Sequence, residues 1–191
     1  MHNLNDLGSR RPQSIKLKRT KVHAFLCIKL LNRNSMKNIQ QSLAILTEKH
    51  TYSELIQKLL HVIIETGSFD ALARNTILQI HGIRRISDIK NYTLEVIIDY
   101  ALLCLEDGKL TEEEIKNTHL LKLFLGIEEG DFYRNGKKSE VKDILTKQLE
   151  LIYVDKKIDK QEALLMSELQ GLFGLNYMEY EEFISEIVDK A

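Results

Sequence analysis

Four carboxylates recur at one spacing in the second half of the chain, and their residue types could bind a metal ion. The segments LEDGKLTEEE (105–114) and YVDKKIDKQE (153–162) align without a gap at an offset of 48 residues. Carboxylate oxygens are the ligands that hard divalent cations prefer. If the two segments converge in the fold, they predict a shared metal site built from Asp107, Glu114, Asp155 and Glu162.

The spacing differs from that of an EF-hand calcium loop. Such a loop carries side-chain oxygens at positions 1, 3 and 5, glycine at position 6 and glutamate at position 12. With Gly108 at position 6 and Glu114 at position 12, positions 1 and 3 fall on Leu103 and Leu105. The second segment has Lys156 in place of the glycine. The sequence therefore excludes an EF-hand.

The same residues can instead form the joint between two helices. Asp107-Gly108 is typical of a turn. The segments 111–114 (TEEE) and 159–162 (DKQE) match the capping box, in which a short polar side chain and a glutamate satisfy free backbone N–H groups reciprocally. Each cap contributes about 1 kcal/mol. We favour the capping interpretation and keep the four-carboxylate site, with a divalent cation, as the alternative.

Other catalytic signatures are absent from the sequence. It contains no HExxH, CxxC, P-loop or GxSxG motif. None of the six histidines follows a glutamate by three residues, so the pattern of a di-iron bundle is missing. The sequence favours a protein that is not an enzyme.

Helical periodicity predicts the elements that position these turns. Leu55, Ile56, Leu59, Leu60 and Ile63 show the pattern, at the spacing of one helical face. Only one proline interrupts 191 residues, and no strand-like alternation competes. We predict an all-α fold, a compact bundle of about seven or eight helices. The predicted N-terminal caps are Thr51 (boxed with Glu54), Asp70, Ser87, Thr111, Ser139, Asp159 and Asn176.

Composition predicts a cytoplasmic protein that does not span a membrane. The longest apolar stretches are about ten residues, half of what a spanning helix needs. Two cysteines, Cys27 and Cys104, do not suggest a disulfide framework and fit a reducing compartment.

The charge is distributed unevenly between residues 1–35 and 36–191. The first segment carries eight Lys or Arg and one acidic residue, whereas the whole chain has a net charge of -1. Three hypotheses fit this arm: an over-called start or tail preceding a natural start at Met36, a nucleic-acid-binding arm, or an export signal. We favour the first, and we divide the chain into a basic segment 1–35 and one helical domain 36–191.

An internal repeat runs through that domain. Residues 105–127 over 153–175 share five identities, and these fall on the turn, the cap and the helix-ending glycine. The pattern predicts a duplication with repeat units of about 92–135 and 140–190.

This pattern resembles the TerB-like family associated with tellurite resistance. That family has a D-G-x-[IL]-x-x-x-E turn followed by a helix that ends in a Leu-Gly-Leu-like element. The first copy matches at Asp107, Gly108, Leu110, Glu114, Gly126 and Ile127, and the second at Asp155, Ile158, Glu162, Gly174 and Leu175.

The resemblance implies an all-helical duplicated domain that acts as an interaction or stress-response module. It also implies a metal role for Asp107, Glu114, Asp155 and Glu162. From it we expect a non-enzymatic cytoplasmic module with protein partners. Metal-ion binding or sensing through the carboxylates is the alternative, and nucleic-acid binding through the basic arm is the third hypothesis.

Overall fold

The computed structural model describes residues 38–106, 108–153 and 159–188, and every regular element within these ranges is helical. The predicted all-α class is confirmed. These ranges hold one more α-helix than the upper prediction, because the four-residue α6 is too short to show an apolar period. The helices are α1 (Ile39–Lys49), α2 (Glu54–Thr66), α3 (Ala71–Ile80), α4 (Lys90–Cys104), α5 (Glu112–Phe124), α6 (Asp131–Arg134), α7 (Lys138–Ile152), α8 (Lys160–Phe173) and α9 (Tyr177–Val188), with a 3₁₀ turn at Ile86–Ile89 before α4.

The predicted capping box at Thr51 and Glu54 is wrong. Helix α2 begins at Glu54 itself, and its N-cap is Ser53, whose hydroxyl accepts from the Ile56 N–H at 3.4 Å. Glu54 is therefore the first helical residue and cannot serve as the third residue of a box opened by Thr51.

Other predicted helix starts vary in accuracy. Asp70 caps α3 as predicted, since its Oδ1 accepts from the N–H groups of Leu72 and Ala73 at 2.8 and 3.1 Å. Ser87 is not an α-helical cap, because it lies inside the 3₁₀ turn. Helix α7 begins one residue before Ser139.

Helix α4 lies at the centre of the described core. It packs against α1, α5 and α7, while α2 packs against α1 and α3. Most side chains of α4 are buried, including Leu94, Ile97 and Tyr100, each with no exposed surface. Helix α8 packs on α5 and α7, and α9 packs on α7. The turn before α5 is thus held by the helices that form the core.

Equivalent helices begin 48 residues apart, at the offset of the predicted repeat. Helices α4 and α7 both have 15 residues, and α5 and α8 begin at Glu112 and Lys160. Both α5 and α8 are followed by a left-handed glycine, Gly126 at φ 65° and Gly174 at φ 66°. A Cβ at these positions would lie 2.3 Å from Ile86 Cγ2 and 2.9 Å from the Gly130 nitrogen, respectively, so both need glycine. The duplication itself stays a prediction.

No helix in the described ranges is long and apolar enough to cross a membrane.

Candidate functional site

Glu114 forms the predicted cap at the start of α5. Its Oε2 accepts from both the Thr111 N–H and the Thr111 hydroxyl, each at 2.9 Å. In return the Thr111 Oγ1 accepts from the Glu114 N–H at 3.3 Å. The prediction of a capping box is confirmed here. One carboxylate oxygen of Glu114 is therefore already committed to the backbone and side chain of the cap.

Glu162 forms the corresponding cap at the start of α8. Its Oε2 accepts from the Asp159 N–H at 3.1 Å, and the Asp159 Oδ1 accepts from the Glu162 N–H at 2.8 Å. Its other oxygen, Oε1, lies 3.1 Å from the Nζ of Lys109 in the turn before α5. Both oxygens of Glu162 thus have donors, one from the cap and one from the other predicted repeat unit.

The structure describes two of the four carboxylates of the predicted metal site, Glu114 and Glu162. Asp107 and Asp155 lie outside the described residues. Among the described residues, no group of three or more His, Cys, Asp or Glu side chains is arranged to hold a metal ion. The structure shows Glu114 and Glu162 as caps, and the metal site that would unite all four stays a prediction.

The turn before α5 is also fixed from the core side. The Leu110 N–H donates to the Oε1 of Gln148 on α7 at 2.8 Å, and Gln148 has no exposed surface. Leu110 is itself 1% exposed, so its side chain is packed in the core. These contacts explain the apolar residue between the turn and the cap without a metal ion.

A surface groove on another side of α5 is a candidate for binding a larger partner. We call it the α5 groove; its volume is about 580 Å³. Its walls come from the start of α1, the connection between α2 and α3, and the first half of α5. The lining residues are Ile39, Gly67, Phe69, Glu112, Glu113, Lys116, Asn117 and Leu120.

Specific contacts hold the walls of this groove in place. The Phe69 ring packs edge-on against the Phe124 ring, with centroids 6.0 Å apart. Arg74 of α3 donates to the Phe124 carbonyl oxygen at 2.9 Å. At the α1 side, Gln40 donates to the Ile64 carbonyl oxygen at 2.9 Å. The groove is therefore formed by packed elements and does not depend on one loop alone.

Three exposed leucines lie on α5 and at the start of α3, the helices next to the groove-lining segments. Leu120 lines the groove and is 36% exposed, and Leu123 follows one turn later on α5 at 71%. Leu72, three residues after Phe69, is 76% exposed. Isolated exposed leucines are ordinary, but neighbouring exposed leucines beside a groove of mixed apolar and charged lining are typical of interaction surfaces.

Buried charges at the far end of α5 join it to its neighbours. Lys122 is 8% exposed, donates to the Leu172 carbonyl oxygen at the end of α8, and lies 5.8 Å from the Phe132 ring centroid. Burial lowers the pKa of the Lys122 ammonium, while Asp131 and Glu129 partly oppose this shift. Lys122 thus ties α5 to α8 at the cost of a buried charge.

Asp131 is the centre of a second buried polar cluster. It is 5% exposed and accepts from Lys90 Nζ at 2.6 Å, Arg134 at 2.7 Å and the Glu128 N–H at 2.7 Å. Burial opposes ionisation of Asp131, but these hydrogen bonds outweigh it and lower the pKa of the carboxyl below its ordinary value. This cluster joins the start of α4 to α6 through these hydrogen bonds.

A third polar cluster lies between the α1–α2 connection and α4. Asp99 accepts from the Tyr52 hydroxyl at 2.7 Å and lies 3.4 Å from His50 Nδ1, while the two rings stack 5.7 Å apart. Burial, followed by the Asp99 carboxylate, raises the pKa of Tyr52. These contacts bind the connection to α4, and we assign them a structural role.

Sequence reasoning did not identify the α5 groove or the three polar clusters at Lys122, Asp131 and Asp99. Their members lie far apart in the chain, as with Ile39 and Leu120, or Lys122 and Leu172. Sequence reasoning relied on local patterns, namely caps, turns and apolar periods. These patterns do not show which distant helices pack against each other.

Comparison of the chain with models of protein families, with curated proteins and with solved structures finds no match.

Proposed function

We propose that this chain is a non-enzymatic, cytoplasmic protein-interaction module that binds a partner protein through the α5 groove. The single observation that carries the proposal is the exposed apolar surface at this groove. Leu120 lies in it, and Leu123, one turn later on the same helix, extends the apolar surface beyond the groove itself. A surface extended in this way fits a polypeptide better than a metabolite.

The capping contacts of Glu114 and Glu162 support an interaction role over the metal-binding alternative. Their carboxylates are used to begin α5 and α8, and Lys109 neutralises one of them. The resemblance to TerB-like proteins, carried by residues such as Gly108 and Gly126, agrees with an interaction or stress-response module. The sequence also lacks the catalytic motifs named above.

Site-specific photo-crosslinking in the host cell tests the proposal. A photoreactive phenylalanine analogue replaces Leu123 beside the groove in one protein and Met178, a 78% exposed residue on α9, in the control. We expect a discrete crosslinked protein from position 123 and none from position 178.

The partner found in this way must then bind the purified chain. We expect Leu120→Asp to weaken that binding by about tenfold or more, because it places a charge against an apolar contact. Met178→Asp provides the matched control and should leave the affinity unchanged. Equal crosslinking from both positions, or equal affinity of both aspartate variants, contradicts the proposal.

A further inference from the structure

The chemistry of the α5 groove indicates which kind of partner segment it accepts. We infer that it binds an amphipathic helix that carries basic side chains at one end and apolar side chains at the other. This inference rests on the proposed function, since it names the partner of the same groove.

The length of the groove matches a short helical segment. From Glu112 to Leu120 the groove covers eight residues of α5, about 12 Å along the axis at 1.5 Å per residue, and Leu123 lies one turn beyond. A partner helix of about three turns covers this distance. The apolar surface at Leu120 and Leu123 then contacts one or two turns of it.

The surroundings favour a helix over an extended peptide. An extended segment that binds by adding to a sheet needs an exposed strand edge. The described ranges contain only helices, so such an edge is absent from them. A helical partner satisfies its own backbone hydrogen bonds, and its side chains alone must fit the groove.

The charges of the groove define the polarity of the partner. Glu112 and Glu113 lie at one end, in the first turn of α5, and the exposed leucines lie at the other. Within the described part of the chain, neither Glu113 nor Lys116 makes a salt bridge, whereas several other surface charges do, for example Lys58 with Glu54 at 2.7 Å.

A partner with lysine or arginine opposite the glutamates would complement this end of the groove. Lys116 lies one turn further along α5, where its ammonium would donate to a carboxylate or to a helix C-terminal carbonyl oxygen of the partner. Attraction at the glutamate end and burial at the leucine end together fix the direction of the bound helix.

Two synthetic helical peptides of about fifteen residues provide the probes for the full chain. Both carry leucines at positions i, i+3, i+4 and i+7 of one half; in the other half, one peptide has lysines and the other has glutamates. Fluorescence anisotropy measures their affinities. We expect the lysine peptide to bind about tenfold more tightly, with an affinity that falls as salt rises.

Matched charge reversals locate the binding. Glu113→Lys should weaken the lysine peptide about fivefold or more, and Leu120→Asp should weaken it similarly. Glu150→Lys, on an exposed position of α7, makes the same change in net charge away from the groove and should have little effect. An equal effect of Glu113→Lys and Glu150→Lys would mean non-specific attraction and overturn the inference.

The outcomes separate this inference from the proposed function. Equal affinity of the two peptides, or binding of neither, overturns the basic helical partner. If crosslinking from position 123 still gives a discrete partner, the interaction module stands with a partner of different chemistry. If that crosslink is also missing, both proposals fail.

Discussion

Lys109 and Glu162 connect the two predicted repeat units by an ion pair, with Nζ 3.1 Å from Oε1. Lys109 lies in the turn before α5, and Glu162 caps the start of α8. The ammonium group lies where a cation would have to approach Glu162. A divalent ion bound to this carboxylate would therefore have to displace Lys109 or share the oxygen with it.

A double-mutant cycle measures how much this pair contributes. Lys109→Met and Glu162→Gln each remove the charge, and glutamine keeps an oxygen for the Asp159 N–H. The side chains are 51% and 16% exposed, so we expect a coupling energy of about 0.2–1 kcal/mol in urea unfolding. The coupling should shrink as salt is raised.

The control cycle pairs Glu162→Gln with Lys116→Met, which replaces an exposed lysine without an ion pair among the described residues. Its coupling should be close to zero. A Lys109 coupling equally close to zero would show that the ion pair does not hold the two units together.

Capping by Glu114 leads to a second prediction. Glu114→Ala removes the acceptor for both Thr111 donors, and we expect it to lower the free energy of unfolding by about 1 kcal/mol. Glu114→Gln should lose less, because its amide oxygen can still accept. Glu113→Ala, in the same turn but outside the box, should change stability by less than about 0.5 kcal/mol.

The same variants distinguish a cap from a metal ligand. Chelator-treated protein is titrated with Ca²⁺, Mg²⁺ and Mn²⁺ while thermal unfolding is followed. If Glu114 acts only as a cap, the stability difference between wild type and Glu114→Ala stays constant across the titration. A saturable stabilisation of wild type that Glu114→Ala abolishes would favour the four-carboxylate metal site.

The caps at Asp70, Thr111 and Asp159 were predictable because they depend on local sequence. Thr111 with Glu114 and Asp159 with Glu162 form boxes within four residues, and Gly126 ends a helix through its own left-handed backbone. The error at Thr51 arose because Ser53, two residues later, is an equally suitable cap. Such competition is decided by packing, which short patterns do not contain.

The exposed apolar face of α5 could not be predicted from the local sequence pattern. Leucine or phenylalanine occupies positions 120, 121 and 123–125, so apolar side chains lie on several faces of the C-terminal end of the helix. In the structure Leu121 and Phe124 are buried, whereas Leu123 is 71% exposed. The difference is set by the positions of α4 and α8, which pack on α5, and a sequence window over α5 has no information about either.

Replacement of Lys122 should change how stability depends on pH. Burial lowers the pKa of Lys122 from its ordinary value of 10.5, so at alkaline pH the folded protein binds fewer protons than the unfolded chain. The free energy of unfolding therefore gains a positive contribution as pH rises from the folded-state pKa towards 10.5. We expect Lys122→Met to remove this contribution.

Urea unfolding between pH 7 and 10 gives the measurement, with Lys116→Met as an exposed-lysine control. The range stops at 10 because buried tyrosines such as Tyr52 have raised pKa values, and their delayed ionisation lowers stability above that pH. Parallel pH curves for Lys122→Met and the wild type would show that the Lys122 ammonium is as well solvated in the folded state as in the unfolded chain.

Asp131→Asn should be the most destabilising of these substitutions. It leaves Lys90, whose side chain is 14% exposed, without its carboxylate partner. Removing one member of a buried ion pair costs about 3–5 kcal/mol, because the remaining charge stays buried. We expect a loss at the lower end of this range, since the Gly126 carbonyl oxygen still accepts from Lys90.

The free energy of unfolding at acidic pH provides an independent test of the role of Asp131. Because the pKa of Asp131 is lowered when the chain folds, its contribution is complete above the ordinary value of 3.8 and is lost as pH falls through the folded-state pKa. Asp131→Asn should therefore flatten the stability curve below about pH 4. Asp143→Asn, on an exposed position of α7, should retain the wild-type slope. If both variants keep that slope, Asp131 is not the carboxylate whose ionisation stabilises the junction of α4 and α6.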